Sequence, residues 1–268
     1  MNMENLEIGI LIPAFLAGML VLATHVPLGQ QVLNRGIVFI DLAIAQVAGL
    51  GVTGASALGF EASGWRVQAA AIGAALIGAV VLTWTEKIWP EVQEALIGVL
   101  FVVAACIELL ILANNPHGGE HLKDLLVGQI LWVQPQQLIP IAILYAVALL
   151  AWFTIRNRIG QIGFYILFAL VVTQSVQLVG IYLVFASLIV PALAAKRFAE
   201  PLRLAVGYAV GIVGYVSGLV ASALFDLPTG AVIVVTLLGT MILAVLLALT
   251  VPKGARAAPA GAIAHAAE

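Results

Sequence analysis

Eight apolar stretches, at roughly 8–28, 37–60, 66–85, 93–113, 135–155, 162–190, 204–225 and 229–251, occupy most of this 268-residue chain. A helix rises about 1.5 Å per residue, so about 20 apolar residues cross the hydrocarbon core of a bilayer. Stretches of this length match such a crossing, and the sixth is long enough to extend past the membrane. The breaks between them collect polar and turn-forming residues, as at Gly29-Gln30-Gln31, Asn34-Arg35-Gly36, Glu86-Lys87 and Asp226-Leu227-Pro228. Charged residues make up 9% of the chain, against about 25% in soluble domains, too few to cover a water-facing surface. The expected fold is all-α: a polytopic bundle of about eight transmembrane helices over residues 1–251, with almost no mass outside the lipid bilayer.

The remaining composition closes off other classes. A net charge of -2 excludes a polybasic nucleic-acid surface, so no nucleic acid is expected as a partner. The single cysteine, Cys106, sits in an apolar run and reads as a small buried hydrophobe, without a disulfide framework. Residues 1–7 lack the positive region of a signal peptide, so the first stretch is expected to stay as a helix. Residues 252–268, rich in Ala and Gly, read as a disordered cytoplasmic tail. The chain has no GxxxxGK[ST] phosphate loop and cannot hydrolyse nucleotide by itself.

Basic residues suggest an orientation. Eight crossings put both termini on one side, together with Arg66, Lys123, Lys196, Arg197, Arg203, Lys253 and Arg256. Arg35, Lys87, Arg156 and Arg158 fall opposite, so the excess favours cytoplasmic termini. The loop from Lys196 to Arg203 is the most basic element and is expected in the cytoplasm. Gly207, Gly211, Gly214 and Gly218 recur at close to one-turn spacing, which lets helix backbones approach in lipid.

Ionisable side chains inside a bilayer are costly and mark candidate function. Asp41 opens the second stretch, with Gln46 five residues on and offset around the helix. A helix cap and a cation ligand both remain open for it. His25, near the end of the first stretch, comes to the level of Asp41 if the turn is short, and imidazole beside carboxylate suits zinc. Glu108 lies deep in the fourth stretch and must face the bundle interior, as a hydrogen-bonded carboxyl or on a polar path. A second cation-binding candidate is the cluster His117, Glu120, His121 and Asp124. It contains the H-x-x-E-H spacing of inverted zinc proteases. Pro116 and Gly118-Gly119 argue against the continuous helix that a protease site requires, and a solvated loop is the simpler account. No catalytic residue is assigned and no enzyme activity is expected.

Several stretches in order resemble the membrane subunit of the metal-type ABC importers, which take up zinc, manganese or iron in bacteria. They are Pro27-Leu28-Gly29 leading to Asp41-Leu42-Ala43-Ile44-Ala45-Gln46-Val47-Ala48-Gly49-Leu50-Gly51-Val52, and Glu94-Ala95-Leu96-Ile97-Gly98-Val99-Leu100-Phe101. The run Val179-Gly180-Ile181-Tyr182-Leu183-Val184 with Ser187-Leu188-Ile189-Val190-Pro191-Ala192 follows, and then Asp226-Leu227-Pro228-Thr229-Gly230-Ala231. The resemblance implies a permease that works as a homodimer in the bacterial inner membrane. Its implied partners are a cytoplasmic ABC ATPase subunit and an extracytoplasmic metal-binding protein. It implies no permanently bound cofactor and a divalent metal cargo, zinc favoured. Pro191, Ala192, Lys196 and Arg197 would belong to the ATPase coupling segment.

The second stretch departs from the family. Where the family usually carries Asp and His four apart, this chain has Leu42 and Gln46, with Asp41 shifted by one. The metal path would then use Asp41, Gln46, His25 and Glu108. Before the Val-Gly run the family's long acidic connection is missing, and only Arg156 to Gln161 stands there. Two other classes compete: a proton-coupled secondary transporter using Glu108 or Asp41, and an intramembrane metalloenzyme built on His117, Glu120 and His121.

Overall fold

A computed structural model describes residues 8–60, 64–112, 126 and 128–250. The described residues are 90% helical, without strands. Its elements are α1 (Ile8–Arg35), α2 (Ile40–Ala57), α3 (Trp65–Ile88), α4 (Gln93–Leu112), α5 (Pro135–Val179), α6 (Ile181–Ala195), α7 (Glu200–Phe225) and α8 (Thr229–Thr250). α5 bends at Gly160, whose φ of 63° and ψ of -166° leave the helical region. Its halves, Pro135–Thr154 and Gly160–Val179, are separately long enough to cross a bilayer. Eight helical segments meet that length and apolarity, as the sequence pattern requires. α6, at 15 residues, is a shorter apolar helix.

α1, α2, α6 and the second half of α5 form the interior. α1 packs on α5, α6 and α7, while α2 packs on α3, α4 and α5. α4 and α8 lie at the periphery and expose Val99, Val102, Leu110, Leu243, Leu246 and Leu247. Apolar side chains turned outward in this way face lipid rather than water. The predicted small-residue stripe serves two seams, Gly207 and Gly211 facing α1 and Gly214 and Gly218 facing α8. A Cβ on Gly211 would meet the Leu22 side chain at 2.6 Å and one on Gly207 would meet the Val26 side chain at 2.7 Å, so a larger residue at either place would displace its neighbour.

The sixth stretch behaves differently from its sequence reading. It is two helices, α5's second half and α6, hinged at Gly180 with φ 82° and ψ 161°. α6 then runs back toward the end from which α5's second half came. Arg35, at the end of α1, lies over the Phe164 ring near the start of that half, at 4.3 Å. Gln30 and Asn34 of the same end of α1 share a recess with Ala192, Lys196 and Arg203. The connections holding Arg35, Lys87, Arg156, Arg158, Lys196, Arg197 and Arg203 therefore share one face. Among described residues Arg66 is the lone basic side chain at the other.

This corrects the orientation drawn from eight simple crossings. The short returning helix α6 adds a passage that hydropathy alone merges with its neighbour. Arg35, Lys87, Arg156 and Arg158 join the Lys196–Arg203 loop instead of opposing it, and the positive-inside rule makes their common face cytoplasmic. α1 begins on the outer face, and α8 ends on the cytoplasmic one.

Candidate transport path

α2 is the central helix, and its buried residues run from Ile40 to Ala55 on nearly all sides. Asp41, in its first turn, is fully buried, and neither carboxylate oxygen has a hydrogen-bond partner. The backbone N–H groups of Asp41 and Leu42 lie close, without meeting hydrogen-bond geometry. The helix has no side-chain cap of its own. A cap arrives instead from α4: the N–H of Phe39 donates to Glu94 Oε1 at 3.2 Å. Glu94 Oε2 is buried without a partner, and the charge of Glu94 reaches Asp41. Asp41 and Glu94 thus bring two carboxylates to the cytoplasmic end of α2, three of whose oxygens have no hydrogen-bond partner among the described residues. Buried polar groups without partners are rare and ask for an ion, a proton or water.

Farther along α2, Glu108 crosses from α4 and is 1% exposed. Its Oε1 accepts from the Thr53 hydroxyl at 2.7 Å, and its Oε2 accepts from the Gln46 amide. α4 is otherwise largely lipid-facing, so this one inward carboxyl and its partners tie α4 to α2. The structure therefore joins Gln46 and Glu108 by a hydrogen bond between helices.

His25 stands apart from them. Its Nδ1 lies 2.9 Å from the Val21 carbonyl and 3.1 Å from the Thr24 hydroxyl. Donation from Nδ1 to the carbonyl leaves Nε2 as a bare acceptor, and Nε2 is buried without a partner. All the hydrogen bonds of His25 stay within α1. Among described residues, no three His, Cys, Asp or Glu side chains gather closely enough to hold a metal ion.

His117, Glu120, His121 and Asp124 lie outside the described residues. Pro191 and Ala192 are buried in α6, whereas Lys196 and Arg197 are exposed in the turn that follows. Between α6 and α7 the chain makes this short connection, across which Arg203 Nε donates to the Phe198 carbonyl at 3.2 Å. Cys106, expected to be buried, is exposed on α4, because the inward face of that helix is the one carrying Glu108.

Sequence reasoning passed over two features. Glu94 enters there only as the acidic residue that opens a family-like run and is given no role, yet it caps α2. Gln68, Gln137, Gln174 and Gln177 line a cavity at the outer end of the bundle. Gln174 and Gln177 sit three apart inside an apolar stretch, and that spacing on one helix face was the available signal.

A family model described as the ABC 3 transport family matches residues 7–160 and 154–248. The chain belongs to this family, which comprises membrane permeases of metal ABC transporters. The two matched stretches meet at 154–160, beside the bend at Gly160, where the sequence has only its short Arg156–Gln161 link. Among solved structures, the chain is similar to a chain of PsaBC from Streptococcus pneumoniae in complex with Fab. The TM-score is 0.72 at 21% identity, covering 88% of this chain and 90% of the other. That likeness carries the fold, including the bundle described above.

Proposed function

We propose that this chain forms the membrane pathway of an ABC importer for a divalent transition metal. It works as a homodimer in a bacterial plasma membrane, driven by a separate cytoplasmic ATPase and supplied by an extracytoplasmic metal-binding protein. The observation that carries this reading beyond family membership is the row of buried polar groups along α2. Asp41 with Glu94, then Gln46 with Glu108 and Thr53, put carboxylates where lipid would otherwise exclude them, and such residues mark ion paths. Lys196 and Arg197, exposed on the basic face, offer the ATPase its docking point.

The donors on α2 and α4 are all oxygens, and His25 supplies the one nitrogen nearby in sequence. Histidine favours zinc, while carboxylate and carbonyl oxygen suit manganese. The oxygen-rich set moves the balance toward manganese from the zinc that the histidines suggested. A glutamine in place of imidazole at position 46 has the same effect.

The test is copurification with the ATPase, followed by ATP hydrolysis in liposomes with Mn2+ and Zn2+ compared. Metal-stimulated hydrolysis with ATP-dependent uptake is expected. Transport by the chain alone, driven by a pH gradient without ATP, would instead establish the proton-coupled reading based on Glu108 and Asp41.

A further inference from the structure

The outer end of the bundle holds an open recess, a chamber with four glutamines in an otherwise largely apolar wall, apart from the carboxylates along α2. α2, α3 and both halves of α5 surround a cavity of about 660 Å³. Its polar lining consists of Gln68 from α3, Gln137 from the first half of α5, and Gln174 and Gln177 from the second half. Among described residues no carboxylate, imidazole or cationic side chain lines it. Gln137 Oε1 accepts from the Gln134 N–H at 3.3 Å. The side chains of Gln68, Gln174 and Gln177 make no hydrogen bond to any described residue.

Four amides from three helical segments converge on this one recess, Gln137 and Gln177 exposed and Gln68 and Gln174 half-buried, so it stays open to water and presents several oxygen acceptors together. We infer that the chamber is a receiving site for a hydrated divalent cation, held through its own water shell by the glutamine amide oxygens. This inference takes its purpose from the importer reading above.

Size and chemistry agree with it. Six waters at about 30 Å³ each occupy about 180 Å³. The chamber therefore admits a hydrated ion with further water around it. Amide carbonyls are hard, neutral oxygen donors of the kind that Mn2+ and Mg2+ accept. Neutrality keeps the hold weak, and a transit site must release what it admits. Arg66, the nearby cation, is held over aromatic rings: its guanidinium lies 5.3 Å from the Phe60 ring and 5.6 Å from the Trp65 ring, in an adjoining recess that shares Gly64 and Trp65 with the chamber. The chamber also abuts α2. Val52 of α2 lines it, and the next residue, Thr53, donates to Glu108.

Mn2+ is the probe for the test. It is titrated into the full chain in bilayer discs, and binding is read as loss of the free aqueous ion's electron paramagnetic resonance. Proton couplings from bound water report the hydration shell. The wild type should bind Mn2+ weakly with its water couplings retained. Gln174→Leu with Gln177→Leu should weaken binding on the order of tenfold, since two polar contacts are lost. Gln174→Glu should strengthen it by about tenfold, because ligand charge sets affinity at oxygen sites. A gain cannot arise from misfolding. Equal affinity in wild type, the double leucine variant and Gln174→Glu would overturn the chamber assignment. ATP-driven Mn2+ uptake on the same chain with its ATPase separates the two readings. Binding without uptake removes the importer reading and leaves the chamber. Uptake with binding indifferent to both variants removes the chamber alone.

Discussion

Glu108 shows how one residue can be both a structural tie and a transport group, and the two roles separate by substitution. Glu108→Leu strands the Gln46 amide and the Thr53 hydroxyl in a dry seam, at about 1–3 kcal/mol for each unsatisfied group. It should lower the thermal midpoint in detergent by several degrees, measured by intrinsic fluorescence. Glu108→Gln keeps an acceptor for Thr53 and removes only the acid. It should hold the midpoint near wild type while cutting metal uptake at least tenfold; normal uptake would leave Glu108 as a tie between α2 and α4. Asp41→Asn asks the same question at the cytoplasmic end. Its carboxylate makes no hydrogen bond, so its loss should leave assembly with the ATPase intact and depress uptake. Wild-type uptake in that variant would confine Asp41 to favouring the positive end of the α2 dipole.

Among the elements, the break at Gly180 decides the topology, and it was the feature least legible in the sequence. The Val179-Gly180-Ile181 run is apolar on both sides, and hydropathy has no means of registering a turn made by a residue that is itself nearly neutral. What betrays it is backbone conformation, since φ 82° with ψ 161° is open almost only to glycine. Helix existence was legible because about 20 apolar residues have few other uses. The pairing of Gln46 with Glu108 was not, because it spans 62 residues and depends on how α4 rotates against α2. Gly180→Ala should therefore cost about 1–3 kcal/mol and reduce the yield of folded chain. Gly73→Ala is the control, since a Cβ there meets nothing within 4 Å. Equal yields of the two variants in size-exclusion chromatography would mean that the hinge tolerates a side chain.

For the whole molecule, the returning helix α6 fixes which surface each connection reaches. With it, the bends at Arg35, Lys87, Arg156 and Lys196 share a face, and the bend at Asp226 belongs to the other. Without it, the Lys196 and Asp226 bends would still be opposite each other, but Arg35 would lie on the side away from Lys196. The discriminating pair is therefore Arg35 and Lys196. Cys106 faces outward from α4 and makes no structural contact worth keeping, so Cys106→Ala supplies a thiol-free chain. In that background Asn34→Cys, beside Arg35, and Lys196→Cys should both resist a membrane-impermeant maleimide added to intact cells, and both should react in inverted vesicles. Asp226→Cys should show the reverse, because α7 carries the chain from the basic face to the outer one. The positive-inside excess predicts the sidedness, and α6 predicts the pairing. Labelling of Asn34→Cys and Lys196→Cys from opposite sides would remove the returning helix, and with it the assignment of an outer start to α1.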